Sequence, residues 1–130
     1  MPNNITVMIV DDSKVMRKTV MSVFARLEAK VVCNFVEAID GEEALMLLRK
    51  VNKLDLIILD WNMPKMSGID FLKQVKALEQ YKELPIIMVT SETSRASVIE
   101  ALKYGATDYI TKPIQLAPFQ SKLEKLKLFS

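Results

Sequence analysis

Short apolar runs alternate with amphipathic stretches five times along the chain. The runs cover positions 5–10, 31–36, 56–59, 86–89 and the brief pair 109–110. Several of them are apolar at consecutive positions, which is typical of strands that are covered on both faces of a parallel sheet. The pattern therefore predicts five short strands.

The stretches between and after these runs repeat their apolar residues at helical spacing. The first carries apolar side chains at i, i+4, i+7, i+8 and i+11 counted from Met16. Shorter stripes of the same kind begin at Ala44, Phe71, Val98 and Phe119. Strands and helices thus alternate, which predicts an α/β fold: a (βα)5 unit with helices on both faces of a doubly wound, five-stranded parallel sheet.

Residues at the ends of the predicted helices agree with this interpretation. Asp40, Ser67 and Ser94 stand where a helix needs a capping side-chain oxygen. Gly105 follows the fourth stripe, where a left-handed residue is favoured. Pro118 lies in the first turn of the last helix, where its missing N–H is tolerated. No shift in composition marks a second domain, so residues 1–130 are predicted to form a single domain.

The sequence also predicts which side chains share one edge of the sheet. The strands run in the same direction, so the residue after each run lies at the carboxyl edge, where ligands bind in such sheets. Five polar residues hold these positions: Asp11, Asp12, Asp60, Thr90 and Lys112. Where the first and third strands are neighbours, as in the order 2-1-3-4-5, the three carboxylates come together.

Carboxylates that close to one another favour a bound cation. Their oxygen-only donor set suits a hard divalent ion, above all Mg²⁺. The formal charges, −3 from the acids, +2 from the ion and +1 from Lys112, sum to zero. Such a site can accept a phosphoryl group, and Asp60 is the candidate nucleophile because Asp11 and Asp12 are paired and suited to the metal.

Acidic residues after strands also have a simpler interpretation, since they often cap the helix that follows. Asp12 or Ser13 could do no more than cap the first helix. Four separate strand ends with suitable polar groups favour a site over a set of unrelated caps.

The composition excludes several other kinds of function. Eighteen Lys and Arg against sixteen Asp and Glu give a net charge of +2, so neither nucleic acid nor a membrane is an expected partner. The chain has no histidine, which excludes Ser-His-Asp catalysis and His-ligated metals. Its three glycines are far apart, which excludes a Gly-rich phosphate loop.

A few further residues are interpreted as structural. Cys33 cannot form an internal disulfide, and together with the missing signal peptide it suggests a cytoplasmic protein. Cys33 and Phe35 are predicted to lie in the core. Lys122, Lys125 and Lys127 lie opposite the last apolar stripe and are predicted to form a solvated face.

Several motifs, in order along the whole chain, resemble the receiver domain of bacterial two-component response regulators. They are VDDS at 10–13, ILDWNMP at 58–64 followed by Gly68, VTS at 89–91 and YITKP at 109–113. The segments 60–64 and 90–92 are particularly similar to the single-domain chemotaxis regulators of that family, which have no output domain. The resemblance implies the flavodoxin-like strand order 2-1-3-4-5.

The resemblance also implies roles for the residues at the sheet edge. Asp60 would accept a phosphoryl group from the phosphohistidine of a sensor histidine kinase. Asp11, Asp12, Asp60 and the backbone carbonyl of Asn62 would hold Mg²⁺.

Other residues of the motifs would stabilise and read out the phosphorylated state. Lys112, followed by a cis bond to Pro113, would pair with the phosphoryl oxygens. Thr90 would donate its hydroxyl to the phosphate, and Tyr109 would then turn inward. Two further residues would tune hydrolysis: Asn62 and Glu92.

A receiver of this kind is a switch, and its only chemistry is its own phosphorylation and dephosphorylation. Phosphorylation would change the surface formed by the fourth helix, fifth strand and fifth helix. A monomer would then bind a flagellar motor switch protein, with an auxiliary phosphatase as a further partner. The alternative is a single-domain phosphorelay intermediate or a regulator of a non-motor partner, because Ile114 stands where the family usually has Phe.

Two other classes of protein share parts of this pattern. A phosphatase of the haloacid dehalogenase type also uses an aspartyl nucleophile and Mg²⁺, but it typically has a second acid where Asn62 stands. A flavodoxin-like electron carrier would offer hydroxyls and amides to a flavin phosphate, and Asp11 and Asp12 would repel that group.

Overall fold

The computed structural model describes residues 3–26, 31–91 and 94–126. Two residues named in the predictions lie outside these ranges, Glu92 and Lys127. The five strands are β1 (Asn3–Val10), β2 (Val31–Ala38), β3 (Leu56–Asp60), β4 (Ile86–Thr90) and β5 (Asp108–Thr111). All five predicted strands are therefore present.

The five predicted helices are present as well. They are α1 (Lys14–Ala25), α2 (Gly41–Leu48), α3 (Gly68–Lys76), α4 (Arg95–Lys103) and α5 (Leu116–Lys125), and a 3₁₀ turn, Glu79–Tyr81, follows α3. Within the described ranges, no helix combines the length and the apolar character that a membrane span requires.

The five strands form one sheet in the order β2-β1-β3-β4-β5, and each neighbouring pair is parallel. This confirms the predicted fold and strand order. In the register of the sheet, Val10 pairs with Leu59, Asp60 with Val89, and Thr90 with Thr111. The strands therefore end at nearly the same level, which brings the residues that follow them to a common edge.

The helices cover the sheet on both faces, with a separate apolar cluster on each side. Phe71 of α3 and Ala44 of α2 belong to the cluster on one face, and Phe24 of α1 and Phe119 of α5 to the other. Every residue of β3 and β4 is buried. Because both faces of these central strands are covered, their sequences are apolar at consecutive positions.

The predicted caps are confirmed. The side chains of Asp40, Ser67 and Ser94 each accept the N–H three residues further on, at the start of α2, α3 and α4. Gly105, which follows the C-cap residue Tyr104 of α4, has a φ of 106°. Of the two predicted candidates, Ser13 rather than Asp12 caps α1, by accepting from the amide of Met16.

The prediction of a solvated lysine face is confirmed for Lys125 and wrong for Lys122. Lys125 is exposed, as expected, but Lys122 pairs with Asp108 at 2.7 Å. Asp108 begins β5, which forms one edge of the sheet, so a side chain on α5 can reach it. Cys33 and Phe35 are half-buried against the core, because β2 forms the opposite edge.

Gly68 permits a close approach between the start of α3 and the end of β3. Its amide donates to the carbonyl of Trp61 at 2.8 Å. A Cβ placed on Gly68 would lie 2.1 Å from the carbonyl oxygen of Asp60. That contact is with backbone, so the loop after Asp60 keeps this path only when position 68 carries no side chain.

We therefore expect Gly68→Ala to destabilise the fold by about 1–3 kcal/mol, the usual cost of overpacking a tight site. Gly41→Ala is the matched control, because its new Cβ would meet the flexible side chain of Met66. The control should lose less stability than Gly68→Ala, because side-chain atoms of Met66 can shift where the backbone of Asp60 cannot. Urea unfolding of both variants measures the difference, and equal losses would show that the approach of Gly68 to Asp60 imposes no constraint.

Candidate functional site

Three carboxylates converge at the carboxyl edge of the sheet. Asp11 and Asp12 follow β1, and Asp60 ends β3, which is the neighbour of β1. One oxygen from each lies within 4.8 Å of the other two. Asp11 and Asp60 are 5% and 3% exposed, whereas Asp12 is open to solvent. The acidic cluster is thus buried on one side and accessible on the other.

Lys112 supplies a positive charge to this cluster. Its Nζ lies 3.1 Å from Oδ1 of Asp60 and 3.8 Å from Oδ2 of Asp11. The Lys112 amide donates to the carbonyl of Thr90 at 2.8 Å, which fixes the start of the loop after β5. The bond between Lys112 and Pro113 is cis, as the resemblance implied. Lys112 follows β5, so its side chain extends past the end of β4 to reach the carboxylates at the ends of β1 and β3.

Burial dominates the electrostatics of the two inner acids. Desolvation raises the pKa of Asp60, and the hydrogen bond and charge of Lys112 act in the opposite direction without cancelling it. The pKa of Asp11 is also raised by burial, with a further contribution from the charge of Asp60, although the amide of Ser13 opposes both. The two inner carboxylates are therefore costly to ionise without a further cation.

The donor set fits a hard divalent cation. All three candidate ligands are carboxylate oxygens, which are the ligands that Mg²⁺ prefers. The formal charge of the three acids and Lys112 is −3 + 1 = −2, so one divalent cation would neutralise the group. Exposure of Asp12 leaves a route for an ion and its waters to enter.

The other predicted site residues surround the same edge. Thr90 ends β4 and is 2% exposed. Asn62 is exposed in the loop directly after Asp60. Tyr109 is half-buried on β5, two residues before Thr111, which is the register partner of Thr90. The edge therefore holds the predicted acceptor, hydroxyl and amine, with Tyr109 further along the neighbouring strand.

Arg17 contacts the site, although it is not among the site residues predicted from the sequence. Its Nη1 donates to the carbonyl of Asp11 at 2.8 Å, and its Nε donates to Glu37 at 2.9 Å. The Arg17 side chain is only 12% exposed. Arg17 lies three residues before the buried Val20 and seven before the buried Phe24. A charged residue on this apolar face of α1 indicates a buried polar contact, and this signal is present in the sequence. Arg17 supports the backbone that carries Asp11.

Comparison with known proteins identifies relatives over nearly the whole length. The response regulator receiver domain family matches residues 7–124. Chemotaxis protein CheY-3 of Vibrio cholerae is 42% identical over 123 residues, which are 95% of this chain and 92% of the relative.

Two solved structures of chemotaxis regulators have the same fold as this chain. The chemotaxis response regulator CheY4 of Vibrio cholerae has a TM-score of 0.83 and 35% identity, covering 95% of this chain and 99% of that one. The CheX–CheY–BeF₃–Mg²⁺ complex from Borrelia burgdorferi also has a TM-score of 0.83, with 28% identity, covering 95% and 89%.

The raised pKa values of Asp11 and Asp60 predict how stability depends on pH. A carboxyl group whose folded pKa is raised holds its proton longer in the folded state, so the free energy of unfolding falls as pH rises through that range. In metal-free buffer at pH 7, Asp60→Asn should therefore unfold at higher urea concentration than the wild type. The gain should shrink as the pH falls toward 4.

Asp12→Asn is the matched control, because Asp12 belongs to the same cluster but stays solvated. Its gain in metal-free buffer should be smaller than that of Asp60→Asn. If the wild type is more stable than Asp60→Asn at pH 7 without divalent ions, burial of the Asp60 carboxylate does not cost more than its contact with Lys112 contributes.

Proposed function

The chain belongs to the response regulator receiver family, and from this premise we propose that phosphorylation of Asp60 switches its binding to a partner protein in chemotaxis. The observation that carries the proposal is the contact of Asp60 with Lys112 at 3.1 Å inside a group of three carboxylates. This arrangement combines a nucleophile, a cation-binding set and a fixed ammonium. As in other receivers, the activity is signalling rather than turnover of an external substrate.

Asp60 is the proposed nucleophile because it ends the central strand and contacts Lys112 directly. One of its carboxylate oxygens attacks the phosphorus of a phosphohistidine. The P–N bond breaks, a P–O bond to Asp60 forms, and the departing imidazole nitrogen takes up a proton. The chain has no histidine, so the donor is another protein, which we propose to be a sensor histidine kinase.

We propose that Asp11, Asp12, Asp60 and the backbone carbonyl of Asn62 hold Mg²⁺. When bound, the ion offsets the charge of the acids and of the incoming phosphoryl oxygens. The protein keeps the ligands in place through the parallel register of β1 and β3 and through the hydrogen bond of Arg17 to the Asp11 carbonyl. Lys112 stabilises the remaining negative charge.

The phosphorylated state is proposed to be read by Thr90 and Tyr109. A charge-assisted hydrogen bond contributes about 1.5–3 kcal/mol, so the Thr90 hydroxyl on a phosphoryl oxygen can shift a two-state ratio roughly 10- to 150-fold. Thr90 and Thr111 are paired in the register of β4 and β5, and Tyr109 lies on the same face of β5 as Thr111. A movement of Thr90 on β4 can thus be transmitted to Tyr109 through Thr111, its partner on β5.

The signal ends when water attacks the phosphorus, the P–O bond to Asp60 breaks, and inorganic phosphate leaves. Asn62, exposed beside Asp60, and Glu92 are proposed to tune the approach of this water. An auxiliary phosphatase is a further proposed partner. The CheY neighbour from Borrelia burgdorferi is part of a complex with CheX.

We propose a flagellar motor switch protein as the output partner, and the likeness to CheY-type chemotaxis proteins supports this choice. Ile99 and Leu102 are exposed on α4, and with β5 and α5 this helix forms the proposed output surface. The alternative is a phosphorelay intermediate or a regulator of a non-motor partner. The alternative rests on Ile114, because the family usually has Phe at this position. Ile114 is half-buried and directly follows the cis Lys112–Pro113 pair.

The proposal is tested by capture of purified motor switch protein on the immobilised chain. With Mg²⁺ and BeF₃⁻, which stands in for the phosphoryl group, the wild type should retain at least about tenfold more of it than without them, the lower end of the shift from one charge-assisted hydrogen bond. Asp60→Asn should show no increase. Equal retention in both states would contradict the motor assignment, and an increase that survives in Asp60→Asn would contradict the acceptor.

A further inference from the structure

We infer that Lys122, held by Asp108, is a positioning residue for Tyr109. It holds the tyrosine ring on the α5 side of the edge strand β5 and opposes the proposed inward turn of the ring toward Thr90. The inference rests on the switch role proposed for Tyr109 and deepens it. Lys122 lies on α5, whereas Tyr109 and Asp108 lie on β5.

An ion pair fixes the position of the Lys122 ammonium. Its Nζ lies 2.7 Å from Oδ1 of Asp108, and the two side chains are 28% and 30% exposed. The same carboxylate oxygen accepts the backbone amide of Tyr109 at 2.8 Å. Because one oxygen binds both groups, the ammonium is held next to the residue whose ring it contacts.

The ammonium lies over the tyrosine ring. Lys122 Nζ is 5.2 Å from the ring centroid of Tyr109, within the range of a cation–π interaction. The Tyr109 side chain packs against the cluster under α2, α3 and α4, whereas Phe119 and Leu123 of α5 pack on the opposite face. Lys122 can bridge the two faces because β5 is the edge strand.

Packing alone leaves one side of Tyr109 open. A cavity of about 280 Å³ is lined by Tyr109 and Lys122 together with Thr111 and Pro113. On that side the ring has space to move, so the contact with Lys122 contributes to its position where van der Waals packing does not. Thr111, on the same wall, pairs with Thr90.

These contacts make Lys122 part of the energy difference between the two switch states. In the present position of the ring, Tyr109 and Lys122 line the same open cavity and make the cation–π contact. A turn of the ring away from that cavity, toward Thr90, would lengthen this contact. Removal of the Lys122 charge should therefore favour the inward state by about two- to fivefold, the population shift that one partly exposed cation–π contact supports. By linkage, binding of a phosphoryl analogue should tighten by the same factor.

The test compares Lys122→Met with Lys122→Arg, which keeps a cation over the ring, and with Lys125→Met, an exposed lysine on the same helix. Each chain carries fluorotyrosine, and Tyr109→Phe assigns one of its three tyrosine ¹⁹F signals. In the absence of BeF₃⁻, the Tyr109 signal of Lys122→Met should move toward its position in the BeF₃⁻ and Mg²⁺ form. Its apparent affinity for BeF₃⁻ at saturating Mg²⁺ should rise about two- to fivefold. The two controls should match the wild type in both measurements.

An unchanged Tyr109 signal and unchanged BeF₃⁻ affinity in Lys122→Met would overturn the inference. A wild type that does not respond to BeF₃⁻ would instead overturn the proposed function. The spectra without BeF₃⁻ remain decisive in that case, because a Tyr109 signal that is the same in Lys122→Met and the wild type contradicts the positioning role directly.

Discussion

The proposed switch depends on one electrostatic constraint: three carboxylates and the ammonium of Lys112 meet at the carboxyl edge of the sheet. Asp11 and Asp60 are nearly buried, and desolvation raises the pKa of both. Lys112 contacts each of them yet leaves the group with a formal charge of −2. This excess negative charge is costly alone and would be favourable with a divalent cation, which supports the proposed coupling of phosphoryl transfer to a metal.

The rest of the molecule keeps that group in place. Parallel pairing of β1 with β3 sets the separation of the carboxylates, and Arg17 fixes the carbonyl of Asp11 from α1. Gly68 lets the first turn of α3 approach the backbone of Asp60. These contacts come from different helices on both faces of the sheet. The geometry of the site is thus a property of the whole domain and not of one loop.

Much of this could be predicted from the sequence, for identifiable physical reasons. β3 and β4 are covered on both faces, so their consecutive apolar residues indicate strands directly. The rule that parallel strands end at one edge predicted the convergence of Asp60 and Lys112, and the charges there indicated Asp60 as the nucleophile. The switch roles of Thr90 and Tyr109 needed the family resemblance. The pairs Arg17–Glu37 and Lys122–Asp108 join residues 20 and 14 positions apart. They depend on how α1 and α5 sit against particular strands, and hydrophobic periodicity carries no such information.

Transfer of phosphate from labelled acetyl phosphate to the purified protein tests most directly whether Asp60 is the phosphoryl acceptor. One labelled residue is expected, Asp60, with labelling that requires Mg²⁺ and disappears in Asp60→Asn or with a chelator. Asp55→Asn is the matched control, because Asp55 binds the Thr6 amide just before β3 and should leave labelling unchanged. Labelling that persists in Asp60→Asn and is indifferent to chelator would show that Asp60 is not the acceptor and that no divalent ion takes part.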